Sequence, residues 1–269
     1  MSLSGPPKRA CVLVFAGSDP SGGAGIQADI QAIAAQGAHA LTVITALTVQ
    51  DNNRVQAVHA VAPELVRQQA QALLASVPVA AVKLGIAGSR GNALVIADLI
   101  RGMKLTQPDL PVVLDTVLGS GHGDALAVEN AINVITPLLE VATLITPNLP
   151  EAALLHPAGD SLLQQARCLL QNACADVLLK GGHGSGEQVS NRWLSMGVGG
   201  WRKEWAWPRL QGEFHGSGCT LAAAIAAQLA LGRTMEDALD NAQGYCQQAL
   251  TDAFIIAAGQ LIPARIKIS

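Results

Sequence analysis

The chain has 269 residues, 50% of them apolar, enough to bury a sizeable core without disulfide or metal staples. Its formal charge of −3, from 17 basic and 20 acidic residues, gives no basic field for nucleic acid or an anionic membrane, so small-molecule chemistry is the better expectation. Cys11, Cys168, Cys174, Cys219 and Cys246 show no CxxC or Cys/His ligand spacing, and nothing at the N-terminus reads as a signal peptide, which predicts a reduced cytoplasmic protein with free thiols.

Residues 1–10 are expected to form a disordered N-terminal extension. "RACVLVFAG" then reads as a strand buried on both faces and ending in glycine. "SDPSGGAGIQADIQAIAAQG" begins with turn residues and settles into helical spacing through Ile26, Ile30 and Ile33, with Gly37 placed to end the helix. "ALTVITALTVQ" is the next strand. The same alternation returns in "VAAVKLGIAG" followed by "GNALVIADLIRG", and in "PVVLDTVLGS" followed by a helix over 125–139. "ATLITPN" leads to a short helix, and a helix near 161–173 leads to "DVLLKGG". Such a series predicts a mainly parallel sheet with helices on its faces. "RWLSMGVGGWRKEWAW" holds all four tryptophans and reads as a hairpin at an antiparallel edge, either purely structural or with one tryptophan lining a nucleotide site. Helices follow from about 217 and 235. The uncharged runs 30–50 and 214–232 approach membrane-spanning length, but Gln31, Gln36, His39, Gln50 and His215 make them better buried elements.

Ligands of an open parallel sheet sit beyond the carboxyl ends of its strands, so the residues after each apolar run carry the functional signal. The glycines of "AGSDPSGGAG" allow close backbone approach, but the loop has neither the Walker A lysine nor the GxGxxG order, and a tight turn explains it equally well. Asp29 either faces solvent or points back toward the strand ends. In "HGSGCT", Gly216, Ser217 and Gly218 leave the first N–H groups of a helix open to an anion, and a helix start would depress the Cys219 thiol pKa; the alternative is a buried structural cysteine. Asn148 and Glu151, three apart in "TPNLPEA", suit either a hydrated cation or a capping box. Lys180 suits a phosphate or a solvated surface, and Asp115 at a buried strand end needs a partner. His122, His183 and His215 read as loop histidines without metal-ligand spacing.

In order and separation, "AGSDPSGGAGIQAD", "VITALTVQ", "TPNLPEA", "KGGH" and "HGSGCTLAAAIAA" closely resemble the hydroxymethylpyrimidine/phosphomethylpyrimidine kinases of thiamine biosynthesis, members of the ribokinase-like superfamily. The resemblance runs from about residue 11 to 258, and its first and last motifs are the specific ones. It implies a single ribokinase-like α/β domain over residues 1–269, in three layers with a mostly parallel sheet between helices. It also implies Mg²⁺- and ATP-dependent phosphorylation of 4-amino-5-hydroxymethyl-2-methylpyrimidine and then of its monophosphate, carried out by a homodimer. Carried over by position, Gly17, Ala24, Asp29, Gln50, Ile86 and Val117 would form the pyrimidine pocket. Gly216, Ser217, Gly218 and Cys219 would form the anion hole, with Cys219 where sugar kinases hold an aspartate base. Asp115 and Glu151 would serve the metal, and Asn148 and Lys180 the ATP phosphates. The chain departs from the family pattern at "GSGHGD", where Gly121 and His122 replace a more usual lysine or polar residue, at Ile86 for methionine, and at Ser217 for threonine. A pyridoxal kinase of the same superfamily and a non-catalytic pyrimidine sensor are the alternatives.

Overall fold

The computed structural model describes residues 8–119, 124, 126–127, 129–157, 161–172 and 174–266. The first seven residues of the expected N-terminal extension, and Gly121 and His122, lie outside the described residues.

The chain begins with β1 (Cys11–Ser18), α1 (Gly25–Ala35), β2 (His39–Gln50), β3 (Val55–Ala60) and α2 (Pro63–Leu74). It continues through β4 (Ala81–Leu84), α3 (Arg90–Thr106), β5 (Val112–Leu114), α4 (Ala131–Leu139), β6 (Leu144–Ile145) and α5 (Leu149–Leu155). The last elements are α6 (Leu162–Asn172), β7 (Asp176–Leu179), β8 (Gln188–Ser195), β9 (Lys203–Pro208), α7 (Ser217–Ala230) and α8 (Met235–Thr251). All the strands join one sheet in the order β3-β2-β1-β4-β5-β6-β7-β8-β9. The run from β2 to β7 is parallel, and β3, β8 and β9 are antiparallel additions at its two edges.

Two elements go beyond the sequence reading. Residues 55–60 pair with β2 as an edge strand, and residues 63–74 form α2, which buries only Val66 and Ala70. Both carry weak signals, because an edge strand and a lightly buried helix need little apolar periodicity. The tryptophan-rich hairpin is present, and its first strand starts at Gln188.

Side chains alternate across β1 as a doubly covered strand requires. Leu13 and Phe15 join the core with α2, α3, α4 and α6, whereas Val12, Val14 and Ala16 join a second core with α1, α7 and α8. Every residue of α7 from Thr220 to Gln228 is buried, so this helix is apolar all round because it is enclosed by the sheet, α1 and α8. Its many alanines permit that close packing. Among the described residues, no helix is long and apolar enough to cross a membrane.

Candidate active site

The carboxyl ends of the parallel strands open onto a cleft of about 630 Å³, in the range of small-molecule sites. At one side α7 begins. Its N-cap, Gly216, is left-handed at φ 76° and offers no side-chain cap. A Cβ there would fall 2.0 Å from the Gly23 carbonyl oxygen, so the two loops can meet only through glycine. Among the described residues, the N–H groups of Gly216, Ser217, Gly218 and Cys219 have no hydrogen-bond acceptor, and all four residues line the cleft. Unpaired donors at the positive end of a helix form an anion site.

Cys219 departs from the expectation. Burial pushes its thiol up to about 11, with Asp115 and Asp29 adding to the rise and Lys83 and the Gly25 N–H opposing it. The depressed thiol pKa expected from the helix start is therefore overturned: two nearby carboxylates and desolvation outweigh the helix end. At neutral pH the group is a thiol close to Asp115.

Facing it lies a charged cluster. Lys180 Nζ is 3.0 Å from Asp115 Oδ1, and Asp115 Oδ2 is buried with no partner among the described residues. Burial opposes ionisation of Asp115, but Lys180 and Lys83 outweigh it and hold the carboxyl below its ordinary value. Lys180 is correspondingly raised, burial being outweighed by Asp115 and Glu151. Asn148 and Glu151 do form the capping box, each side chain accepting the other's backbone N–H at 2.8 Å. Glu151 also accepts from Thr116 Oγ1 at 3.2 Å. Its pKa is raised by burial and, after the opposing pull of Lys180, by the charge of Asp115. The orphaned oxygen of Asp115 and the mutual repulsion of two hard carboxylates suit a divalent cation completed by water and phosphate oxygens. No group of three or more protein ligands is assembled for a metal among the described residues.

Gly17, Ala24, Gln50, Ile86 and Val117 all line the cleft. Ile86 lies so close to Gly17 that a Cβ there would come within 2.6 Å of its Cδ1. Asp29 is brought to the site without reaching its wall. Fully buried, it bonds Lys83 Nζ at 2.9 Å, and it is Lys83 that lines the cleft. The position expected of Asp29 at the pocket wall is thus taken by Lys83, because a carboxylate this deep must be paired. Burial pushes Asp29 up to about 6 against the pull of Lys83. For Lys83, the charges of Asp29, Cys219 and Asp115 outweigh burial and raise the pKa.

Known proteins resemble this chain over most of its length. The family model of phosphomethylpyrimidine kinase matches residues 19–263. The chain belongs to that family. The hydroxymethylpyrimidine/phosphomethylpyrimidine kinase of Escherichia coli K12 is 37% identical, over 94% of this chain and 95% of its own. That of Streptomyces coelicolor is 38% identical, over 94% and 93%. Among solved structures, the phosphomethylpyrimidine kinase of Clostridium difficile 630 is 31% identical with a TM-score of 0.74, covering 90% of this chain and all of its own. A Bacillus subtilis pyridoxal kinase solved as an ADP complex has a TM-score of 0.83 at 24% identity, over 96% and 98%, which establishes the ribokinase-like fold alone. The chain is a kinase.

Three residues of this kinase site are absent from the sequence reading. Lys83 carried a usable signal, a charge inside an otherwise apolar strand. Asp19 accepts from Ser21, Ala24 and His215, whose Nε2 lies 2.8 Å away, and so ties the first loop to the anion-hole loop across the fold. Arg265 reaches the back of the same two loops from the far end of the chain. Of the histidines, His183 and His215 line the cleft, and burial lowers the His183 pKa, helped by Lys180 and Arg209. Trp193 and Trp205 are structural, bonded to Asp176 and Asp240, whereas Trp207 lines the cleft.

Proposed function

We propose that this kinase transfers the γ-phosphoryl group of Mg²⁺-bound ATP to the hydroxymethyl oxygen of 4-amino-5-hydroxymethyl-2-methylpyrimidine, and then phosphorylates the monophosphate to the diphosphate in thiamine biosynthesis. The observation that carries the reading is the row of unpaired N–H groups from Gly216 to Cys219 facing Asp115, Lys180 and Glu151 across one cleft. Phosphoryl transfer requires chiefly positioning and charge neutralisation, and these groups supply both.

Gln50 donates to Thr48 Oγ1 at 2.6 Å, which leaves its amide oxygen to accept from the 4-amino group of the ring. Gly17, Ala24, Ile86 and Val117 give the flat ring its walls, and Asp29 holds Lys83 beside it. Lys180 exchanges part of its attraction to Asp115 for a phosphate oxygen, and Asn148 borders the phosphates. Asp115 and Glu151 would hold Mg²⁺, which neutralises phosphate charge when bound. The anion hole receives the transferring group. Cys219 lends its N–H to that hole, and its sulfur lies where the hydroxyl proton leaves. A thiolate this basic forms rarely, so the proton departs late, in keeping with a loose transition state. The reading takes residues 1–269 as one kinase domain acting in the cytoplasm as a homodimer.

An ATP-consumption assay with hydroxymethylpyrimidine, its monophosphate, pyridoxal and ribose tests this. Turnover is expected with both pyrimidines. Turnover with pyridoxal alone would make the chain a pyridoxal kinase, and no turnover with any of the four would leave a sensor.

A further inference from the structure

Arg265 is 2% exposed, and its guanidinium sits directly behind the anion-hole loop. Its Nη2 donates to the Gly23 carbonyl and, at 3.4 Å, to the His215 carbonyl. Nη1 reaches the Gly22 carbonyl and Gln31 Oε1, both at 3.5 Å, and Nε donates to Thr220 Oγ1 at 2.8 Å. Thr220 Oγ1 in turn donates to the Gly216 carbonyl at 2.8 Å. No carboxylate appears among these hydrogen-bond partners. A cation is thus buried against neutral acceptors at the N-terminus of α7, the end of a helix that disfavours positive charge.

The geometry gives this placement a use. In a trans peptide the C=O and N–H point in opposite directions, and no cis peptide is present among the described residues. Drawing the His215 carbonyl toward Arg265 therefore turns the Gly216 N–H the other way. Holding the Gly216 carbonyl through Thr220 does the same for the Ser217 N–H. Both N–H groups are without acceptors among the described residues, and both residues line the cleft. A structural staple needs only donors, which a neutral amide also provides; the uncompensated charge suits an anion on the opposite side of these peptides. Burial lowers the Arg265 pKa, and its neighbours Cys219, Tyr245 and Asp29 oppose the fall.

We propose that Arg265 is a positioning residue for phosphoryl transfer: it grips the carbonyl sides of the peptides whose N–H groups form the anion hole and supplies the hole's net positive charge. The role rests on the kinase reading above. Because the hole is occupied by the group in flight, its loss should appear in kcat more than in substrate binding.

The experiment compares Arg265→Ala, Arg265→Gln, Arg265→Lys and Thr220→Val by steady-state kinetics, thermal melting, and titration with inorganic phosphate followed by ³¹P line width. Arg265→Gln should fold and lose about 100-fold in kcat with the pyrimidine KM within about threefold, in line with loss of oxyanion stabilisation. Arg265→Lys should retain more activity than Arg265→Gln, guanidinium ion should partly restore Arg265→Ala, and Thr220→Val should lose about tenfold in kcat while folding normally. Phosphate affinity should fall at least tenfold in Arg265→Gln. Full kcat in Arg265→Gln, or losses shared equally by kcat and KM in step with the melting temperature, would overturn the role. If the arginine variants fail to fold, Thr220→Val decides, and kcat within twofold of the parent rejects the proposal. Absence of turnover in the parent protein would reject the kinase reading instead; the phosphate titration then still decides on Arg265, equal affinity in parent and variant rejecting it.

Discussion

Two lysine–aspartate pairs flank Cys219, alike in length and unlike in surroundings. Lys83–Asp29 spans 2.9 Å with both side chains 0% exposed, while Lys180–Asp115 spans 3.0 Å with the lysine 15% exposed. The first pair is enclosed where β4 meets α1, sealed from solvent although Lys83 lies at the cleft wall. Each aspartate keeps one oxygen without a partner among the described residues, but only in the second pair is the lysine open to solvent, at the cleft wall. Burial, rather than distance, separates a pair that fixes geometry from one that can trade partners with a ligand. Removing one member of an enclosed pair strands a charge, whereas an open pair is poised for exchange.

The largest effect expected from this contrast is on stability. Lys83→Met should destabilise the fold by ~3 kcal/mol, because Asp29 loses its ion-pair partner and must take up a proton in the core, and Lys83→Met with Asp29→Leu should regain most of it. Chemical denaturation of both variants checks this; a double variant no more stable than the single one would break the distinction. Next in size is an effect on rate. Lys180→Met should lower kcat by about 10²–10³-fold, the usual worth of a charge-stabilising donor, with little change in the denaturation midpoint. A Lys180→Met variant as destabilised as Lys83→Met would make the two pairs equivalent.

The contrast also marks what the sequence could disclose. Loops at strand ends are legible because turn residues and apolar runs are local, and Gly216–Cys219, Asn148, Glu151, Lys180, Gln50 and Ile86 all reach the cleft from such loops. Asp29 stood out as a carboxylate inside an apolar helix, while Lys83, a cation inside an apolar strand, was passed over; the two answer each other only once α1 is laid on the sheet. Nothing local announces the union of Arg265 with Gly23, or of His215 with Asp19, since each joins positions roughly 200 residues or more apart. The edge strand β3 and the helix α2 escaped for the opposite reason: they are local but only lightly buried, so their apolar pattern is faint.

The smallest effect probes the enclosed pair through its neighbour. Cys219, pushed by burial from an ordinary 9.0 to about 11, is a thiol across the neutral range, so its alkylation by iodoacetamide should quicken about tenfold for each pH unit between 7 and 9. Lys83 favours the thiolate and Asp29 opposes it. At fixed pH, then, Lys83→Met should raise the thiol pKa further and slow the reaction, while Asp29→Asn should lower it and speed the reaction, each by about two- to tenfold. Peptide mass spectrometry isolates Cys219 from the other thiols, with each variant kept below its own melting transition. Opposite signs mean that the pair acts on the sulfur by charge. Equal signs, or a rate indifferent to pH, would mean that packing alone governs Cys219 and that the buried lysine contributes nothing to its protonation.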